Sequence, residues 1–328
     1  MKETVFVTGA NGHIGYQVCK QLIEKGYQVI ALVRDLEHRD YSDLKALNVQ
    51  LRDGDCLNLE SLAQGMQGCD YVIHLAAIFD NSINEIDAIV KPNLAMTENV
   101  MRVAKRKSVK RVVCTSSIVA IGGADIGSAP LSNEVYNTHS SQLYSRSKAI
   151  AEQAAWKLAQ ELDVNLATVL PASVIGPYHG EKTDSIEVID QLLKGKIPFA
   201  LPMHFSYVDV RDVAAAHILV MESDLKQRFV AASFDFDAKS LIAQIKQHRK
   251  IKVSEKELPI WLCQCLPVID WLSAKLTGSK RLMTRSTVEE YIGKQQRYSD
   301  RALYENLNWK TISTEQTIVD TIEALESS

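Results

Sequence analysis

Thr8-Gly9-Ala10-Asn11-Gly12-His13-Ile14-Gly15 follows the apolar run Val5-Phe6-Val7 and opens a segment in which Ile14, Val18 and Leu22 recur at helical spacing up to Gly26. A β-branched run, a glycine-rich turn and an amphipathic helix in that order form the first unit of a parallel α/β sheet. The glycines fall as G-x-x-G-x-x-G, whereas the commonly quoted dinucleotide fingerprint is G-x-G-x-x-G. The physical demand is similar: a tight turn without a Cβ, close approach of backbone to a pyrophosphate, and an anion facing the unpaired amides of a helix N-terminus. Taken alone, the triplet also reads as a plain strand-to-helix turn.

Working outward, further short apolar runs at 29–33, 71–75, 112–114 and 166–170 alternate with helical stretches. One of those stretches places Leu94, Thr97, Met101 and Ala104 on a single face, with Pro92 suited to a first turn or a kink. This alternation predicts an α/β fold, a doubly wound (Rossmann) parallel sheet covered on both faces. From Pro171 onward the alternation weakens and Gly and Pro punctuate loops, which reads as a smaller, mostly helical lobe. The expected division is 1–170 for the cofactor-binding domain, with 201–220 returning to it, and 171–328 for the substrate lobe. No repeat or Ser/Gly linker separates the two, so they are expected to pack closely.

Two further features carry chemistry. The second strand ends on apolar Val33 followed by Arg34, where NAD sites usually carry an acid for the ribose 2′-hydroxyl. A guanidinium binds a 2′-phosphate through forked, charge-assisted bonds, so Arg34 points to NADP(H); its alternative reading is a solvated pair with Asp35. Tyr144-Ser145-Arg146-Ser147-Lys148 then sets a phenol and an ammonium four residues apart, on one face of a helix. The cation favours phenolate, so Lys148 is expected to lower the Tyr144 pKa from its usual value of about 10. The fourth of these strands ends in Cys114-Thr115-Ser116-Ser117, where ligands of doubly wound sheets sit. A strand cap plus a helix-surface pair is the alternative reading.

Composition removes several classes. The 328 residues carry 37 Lys/Arg and 40 Asp/Glu, a formal charge of −3, which disfavours a nucleic-acid partner. The six cysteines form no CxxC pair and no Cys/His metal spacing, so they read as reduced thiols of a cytoplasmic protein with no metal. The N-terminus enters a strand pattern at once, without a signal peptide. Residues 258–276 are apolar over almost a bilayer's thickness but contain Asp270, Lys275, Pro259 and Pro267. A transmembrane span is therefore not expected there. A packed helix is the favoured reading of this segment; a cover over the substrate pocket or a contact with lipid are the others.

Taken together, the chain resembles an extended short-chain dehydrogenase/reductase, the NAD-dependent epimerase/dehydratase family. The resemblance rests on the glycine loop at 8–15, Asp53-Gly54-Asp55, His74-Leu75-Ala76-Ala77, Thr115-Ser116-Ser117, the Tyr144/Lys148 motif, Pro171 with Gly176-Pro177, and Tyr207-Val208-Asp209-Val210-Arg211-Asp212-Val213-Ala214. These run in family order over about the first 215 residues. It implies that Gly9, Asn11, Gly12, His13, Ile14 and Gly15 hold the cofactor pyrophosphate and that Asp55 meets the adenine. Ala76, Ala77, Pro171 and Val174 would border the cofactor, and Ser117, Tyr144 and Lys148 would form the catalytic group, with Ser116 as the alternative serine. Ser117 and Tyr144 would bind the substrate oxygen, and Lys148 would also hold the nicotinamide ribose.

Ile89-Val90-Lys91-Pro92-Asn93 and the run from Arg111 to Ser117 are similar to dihydroflavonol 4-reductases and cinnamoyl-CoA reductases. That likeness implies an NADPH-dependent reductase of a small-molecule carbonyl substrate, an aldehyde or ketone. Dehydratases of the family place Asp-Glu where Ser116-Ser117 stand. Epimerases often carry Arg-Asp-Tyr where Phe205-Ser206-Tyr207 align. The same resemblance leaves 3β-hydroxysteroid dehydrogenation and sugar-nucleotide epimerisation as alternatives, and an NADP(H)-sensing regulator as a non-enzyme one. It also implies a homodimer through helices of the cofactor lobe. The substrate pocket is expected from 79–83, 119–123, 174–179 and 198–205, with His179 and His204 as polar contacts or as ordinary satisfied loop histidines.

Overall fold

Runs rich in Val, Ile and Leu at Thr4–Thr8, Gln28–Val33, Gln50–Asp53, Tyr71–His74, Arg111–Thr115, Leu166–Pro171 and Arg228–Ala231 pair in parallel into one sheet. The computed structural model describes residues 2–78, 85–278, 281 and 283–327. Across the sheet the strands stand third, second, first, fourth, fifth, sixth, seventh. The succession reverses beside the first strand, the position where doubly wound sheets open a crevice at their carboxyl ends. The α/β Rossmann architecture expected from the alternation is the one observed.

Strand alternation sends Val5 and Val7 to one face and Phe6 to the other. Val5 and Val7 pack with Val18 and Leu22 of the helix His13–Glu24 and with Val213 and Val220 of the helix Val210–Glu222. Phe6 packs with Leu62, Val100, Met101 and Ala155, which come from the helices Leu59–Gly65, Ile86–Arg106 and Leu143–Leu162. Among the described side chains of Ile86–Arg106, Ile89, Val90, Asn93, Met96, Thr97, Val100, Met101, Val103 and Ala104 are buried, while Leu94 is half-buried. Pro92 therefore lies inside this helix, on its seventh residue, and not in its first turn.

The smaller lobe is built on a mixed sheet. Phe234–Asp237, His204–Asp209, Lys294–Gln295 and Ala124–Asp125 stand in that order, and Ser173–Ile175 pairs with His204–Asp209. Helices Asp184–Leu193, Ala238–His248 and Thr314–Glu326 share one core there through Ile186, Ile189, Leu241, Ile245, Ile318 and Ile322.

The chain crosses between the two sheets more often than a boundary at 170 anticipates. Ala124–Asp125 reaches the second sheet from the first half. Within 201–220, the strand His204–Asp209 belongs to the second sheet, and the return to the first begins at Val210 and continues through the strand Arg228–Ala231. Tyr298, Leu303 and Trp309 also lie in the core with Val5 and Val7. The shortness of these crossings, two to six residues each, leaves little periodicity to read.

Candidate active site

The glycine loop has the shape a pyrophosphate cradle needs. Gly9 has φ +72°, and a Cβ there would stand 2.8 Å from the Ala76 amide nitrogen. A Cβ on Gly15 would meet the Gly9 carbonyl oxygen at 2.1 Å, so the first helix starts directly against the loop. Thr8 Oγ1 contacts His74 Nδ1 at 2.7 Å and accepts a bond from the Ala76 amide at 3.2 Å, which locks the loops after the first and fourth strands together. Ala76 thereby borders Gly9, and Ala77 lines a small cavity beside Lys148.

The helix opens at His13 with Gly12 as its N-cap, no side-chain cap and no acid in its first turn. Its amides and the positive end of its dipole are left for an anion. His13 is buried with both ring nitrogens lacking a hydrogen-bond partner among the described residues. Burial lowers its pKa to about 4, with Asp209 opposing and His179 adding to the shift, so the ring is neutral at pH 7. An uncapped helix start above a cradle that a Cβ would fill fits a dinucleotide pyrophosphate. Asn11 is exposed and Ile14 half-buried on the same turn.

Beyond the second strand, Arg34 is exposed and holds no carboxylate among the described residues. Its expected partner, Asp35, sits at φ +58° and turns to His38, with Nδ1 to Oδ1 at 2.5 Å. Tyr41 Oη donates to the Arg34 carbonyl at 2.6 Å and fixes the backbone there. The alternative reading of Arg34 as an Asp35 pair is thus not what the structure holds. Asp55 follows the third strand, half-buried, and accepts the Leu57 amide at 2.9 Å.

Tyr144, Lys148 and Glu152 stand on successive turns of the helix Leu143–Leu162. Lys148 is buried and donates from Nζ to the Thr115 carbonyl at 3.0 Å, at the carboxyl end of the fifth strand. Burial lowers its pKa to about 8, with Cys114 and Glu152 opposing the shift. Tyr144 is half-buried, and its phenol is raised above the ordinary range by burial and then by the Asp184 carboxylate. The lowering expected from Lys148 is not found: the ammonium is held on a backbone carbonyl, and desolvation of the phenolate outweighs it.

The two serines separate. Ser116 Oγ is buried and donates to Glu152 Oε2 at 2.8 Å. That carboxylate also accepts from Thr168 at 2.7 Å and from Arg228 Nε and Nη2 at 2.9 Å each. Ser116 is therefore part of a closed internal network. Ser117 is half-buried, and among the described residues its Oγ accepts only a 3.4 Å bond from the Val119 amide. It lies at the turn Ile118–Ala120, against which the helix of Tyr144 packs.

Several supporting residues escape a reading of local motifs. His217 Nδ1 lies 2.8 Å from the Val213 carbonyl, so it carries the proton, and its Nε2 accepts from Thr115 Oγ1 at 2.7 Å. His217 thus steadies the residue whose carbonyl receives Lys148. Asn93 holds the Ile78 amide at 2.7 Å and the Ile78 carbonyl at 3.0 Å, and it donates to Ser147 at 3.2 Å. A cavity of about 20 Å³ among Lys148, Asn93, Thr97, Ser116 and Glu152 has room for one water. The signal for Glu152 was present in sequence as a carboxylate one turn beyond Lys148; its Arg228 partner is 76 residues away.

Of the expected pocket segments, 79–83 lies outside the described residues. Pro171 ends the sixth strand and Val174 pairs with Val208 just beyond it. His179 stacks on Tyr16 at 4.0 Å and faces Asp43 at 3.5 Å, which sets it beside the first helix rather than as a substrate contact. Phe205 meets Tyr291 at 5.4 Å, and Tyr291 Oη donates to Gln142 at 3.0 Å, the N-cap of the Tyr144 helix. An aromatic wall thus adjoins the helix of Tyr144 and Lys148, and no local motif marks Tyr291.

A sequence profile described as the NAD dependent epimerase/dehydratase family matches residues 5–232. The chain belongs to this family. It is 31% identical over 270 residues to a putative dihydroflavonol 4-reductase of Synechocystis, covering 80% of this chain and 77% of the other. It is 35% identical over 236 residues to a cinnamoyl-CoA reductase of Medicago truncatula, covering 67% and 72%. Among solved structures, yeast methylglyoxal/isovaleraldehyde reductase complexed with NADPH superposes with a TM-score of 0.70 at 21% identity, over 99% of this chain and 98% of that one. This family member is an NAD(P)-dependent oxidoreductase.

Proposed function

We infer that the protein is an NADPH-dependent reductase of small aldehydes or ketones. The observation that carries this reading is Lys148, one turn from Tyr144, seated on the Thr115 carbonyl with Ser117 two residues beyond. Gly9, Gly12, Gly15 and the amides of the first helix would hold the pyrophosphate, Arg34 the 2′-phosphate, and Lys148 the nicotinamide ribose. When bound, the reduced nicotinamide supplies the hydride.

Ser117 and Tyr144 hydrogen-bond the substrate oxygen and orient its carbonyl carbon. Tyr144 donates its proton to that oxygen as the alcohol forms. The raised phenol pKa keeps this proton in place at pH 7, and the Lys148 cation offsets the phenolate left behind. Thr115, fixed by His217, keeps Lys148 at the strand end.

The epimerase reading loses support at 205–207. Phe205 packs on Tyr291, and Ser206 is buried on the Gln296 carbonyl at 2.6 Å, so no charged clamp for a sugar-nucleotide pyrophosphate stands there. An apolar or aromatic carbonyl compound suits this wall better.

The test is NADPH oxidation across aliphatic aldehydes, aromatic aldehydes, dihydroflavonols, acyl-CoA thioesters and ketosteroids, with NADH run in parallel. Turnover with NADPH should exceed that with NADH, and Arg34→Ala should weaken NADPH by about 1.5–3 kcal/mol, the worth of charge-assisted bonds, with little effect on NADH. Equal losses for both coenzymes would remove the phosphate assignment.

A further inference from the structure

Residues 258–276 fold as two helices, Ile260–Cys263 and Leu266–Thr277, broken by Pro267 at the start of the second. The expectation of a packed helix is met only on the inner side. Cys263 is buried with Val288 and Ile292, and Leu258 and Leu266 lean on that cluster. Leu266–Thr277 has no buried residue at all.

Twelve large apolar side chains are exposed among the described residues, and seven of them fall within 260–276, among them Trp261, Val268, Ile269, Trp271, Leu272 and Leu276. Trp261 is 71% exposed and Leu276 86%. Val268, Ile269, Leu272 and Leu276 share one helical face. Such clustering marks an interaction surface rather than the scattered apolar exposure of any soluble protein.

The charge around this face selects its partner. Residues 250–285 carry seven Lys/Arg against three Asp/Glu, in a chain whose overall charge is −3. Asp270, the acid on the second helix, is paired with Arg281 at 3.3 Å. Lys275 Nζ stands 5.2 Å over the Trp271 ring, Lys250, Lys252 and Lys256 are exposed in the stretch before it, and Arg285, also exposed, pairs with Glu289 at 3.1 Å. Two tryptophans beside an apolar helix face, one of them under the Lys275 ammonium, in a stretch of chain with a cationic surplus, have the chemistry of the bilayer interface. A two-fold contact with a second copy would instead set the same cationic surplus against itself. No helix among the described residues is long and apolar enough to cross a membrane.

We propose that this face docks on the surface of an anionic phospholipid bilayer, with Leu266–Thr277 lying in the interfacial plane. The probe is the full chain sedimented with vesicles of phosphatidylcholine, with and without phosphatidylglycerol. Binding should require phosphatidylglycerol, weaken with added salt, and shift tryptophan emission to the blue.

Trp261→Ala with Leu272→Ala should lower partitioning by about tenfold or more, given the apolar area withdrawn. Leu276→Glu, at a site too exposed to disturb folding, should do the same. Both variants should keep wild-type turnover on a water-soluble aldehyde. Three results would overturn the proposal: no vesicle binding at low salt, a dimer that these variants dissociate, or a raised KM showing that the segment covers the substrate pocket.

Discussion

Ser116 and Ser117 are neighbours at the end of an extended strand, so their side chains leave on opposite faces. Ser116 turns inward to Glu152, and Ser117 is half-buried at the turn that packs against the Tyr144 helix. Ser117→Ala should lower kcat by about 10²-fold or more, the scale of losing one donor to a developing oxyanion, with little change in melting temperature. Ser116→Ala should leave turnover within about threefold and cost about 1–3 kcal/mol, the worth of a bond to a charged group. Steady-state kinetics and thermal melts of the two variants separate these roles; reversed effects would move the catalytic role to Ser116. The glycine loop, Arg34, Tyr144 and Lys148 were legible because each depends on local spacing. Which serine joins the Glu152 network was not, because it depends on where the strand gives way to the turn.

The helix Leu143–Leu162 is held by what Glu152, one turn beyond Lys148, touches. Glu152 joins it to the fifth strand through Ser116, to the sixth through Thr168 and to the seventh through Arg228. Arg228 also stacks on Tyr136 at 3.9 Å and donates to the Val135 carbonyl at 2.9 Å. Every oxygen of the carboxylate is therefore satisfied, as a buried charge requires. Glu152→Ala would strand the Arg228 guanidinium and should cost about 3–5 kcal/mol, read by denaturant unfolding. A loss below about 1 kcal/mol would mean the pair does not anchor the helix. Periodicity disclosed the helix, but not its anchor, since Arg228 lies on a four-residue strand whose first position is charged. The segment 258–276 shows the converse: its hydrophobicity was plain, yet burial of one side only could not be told from composition.

At the scale of the whole chain, the C-terminal segment is tied back to the first lobe at one buried acid. Asp212 accepts the Ile312 amide on its carboxylate at 3.0 Å, and its carbonyl accepts Trp309 Nε1 at 2.9 Å. Burial raises its pKa to about 7, with the Ile312 bond opposing and Asp209 reinforcing the shift. The folded chain therefore holds a proton here that the unfolded chain has released above about 4. This contribution to stability is fully present below about pH 4 and lost as pH rises through about 7. The stability of wild type relative to Asp212→Asn should fall across that window and be level above it, measured by thermal melts from pH 4 to 8; a flat difference would contradict the assignment. The parallel sheet of the first lobe was readable from alternating runs, whereas the second sheet was not, because several of its strands have only two or three residues. The most direct measurement is hydride transfer itself, using NADPH deuterated at C4 and an aldehyde or ketone accepted in the screen. Deuterium from one face of the ring should appear on the alcohol carbon of the product, and Tyr144→Phe should bind NADPH as wild type does while turning over at least about 10²-fold more slowly. Wild-type turnover in Tyr144→Phe, or product alcohol without deuterium from either face, would contradict it.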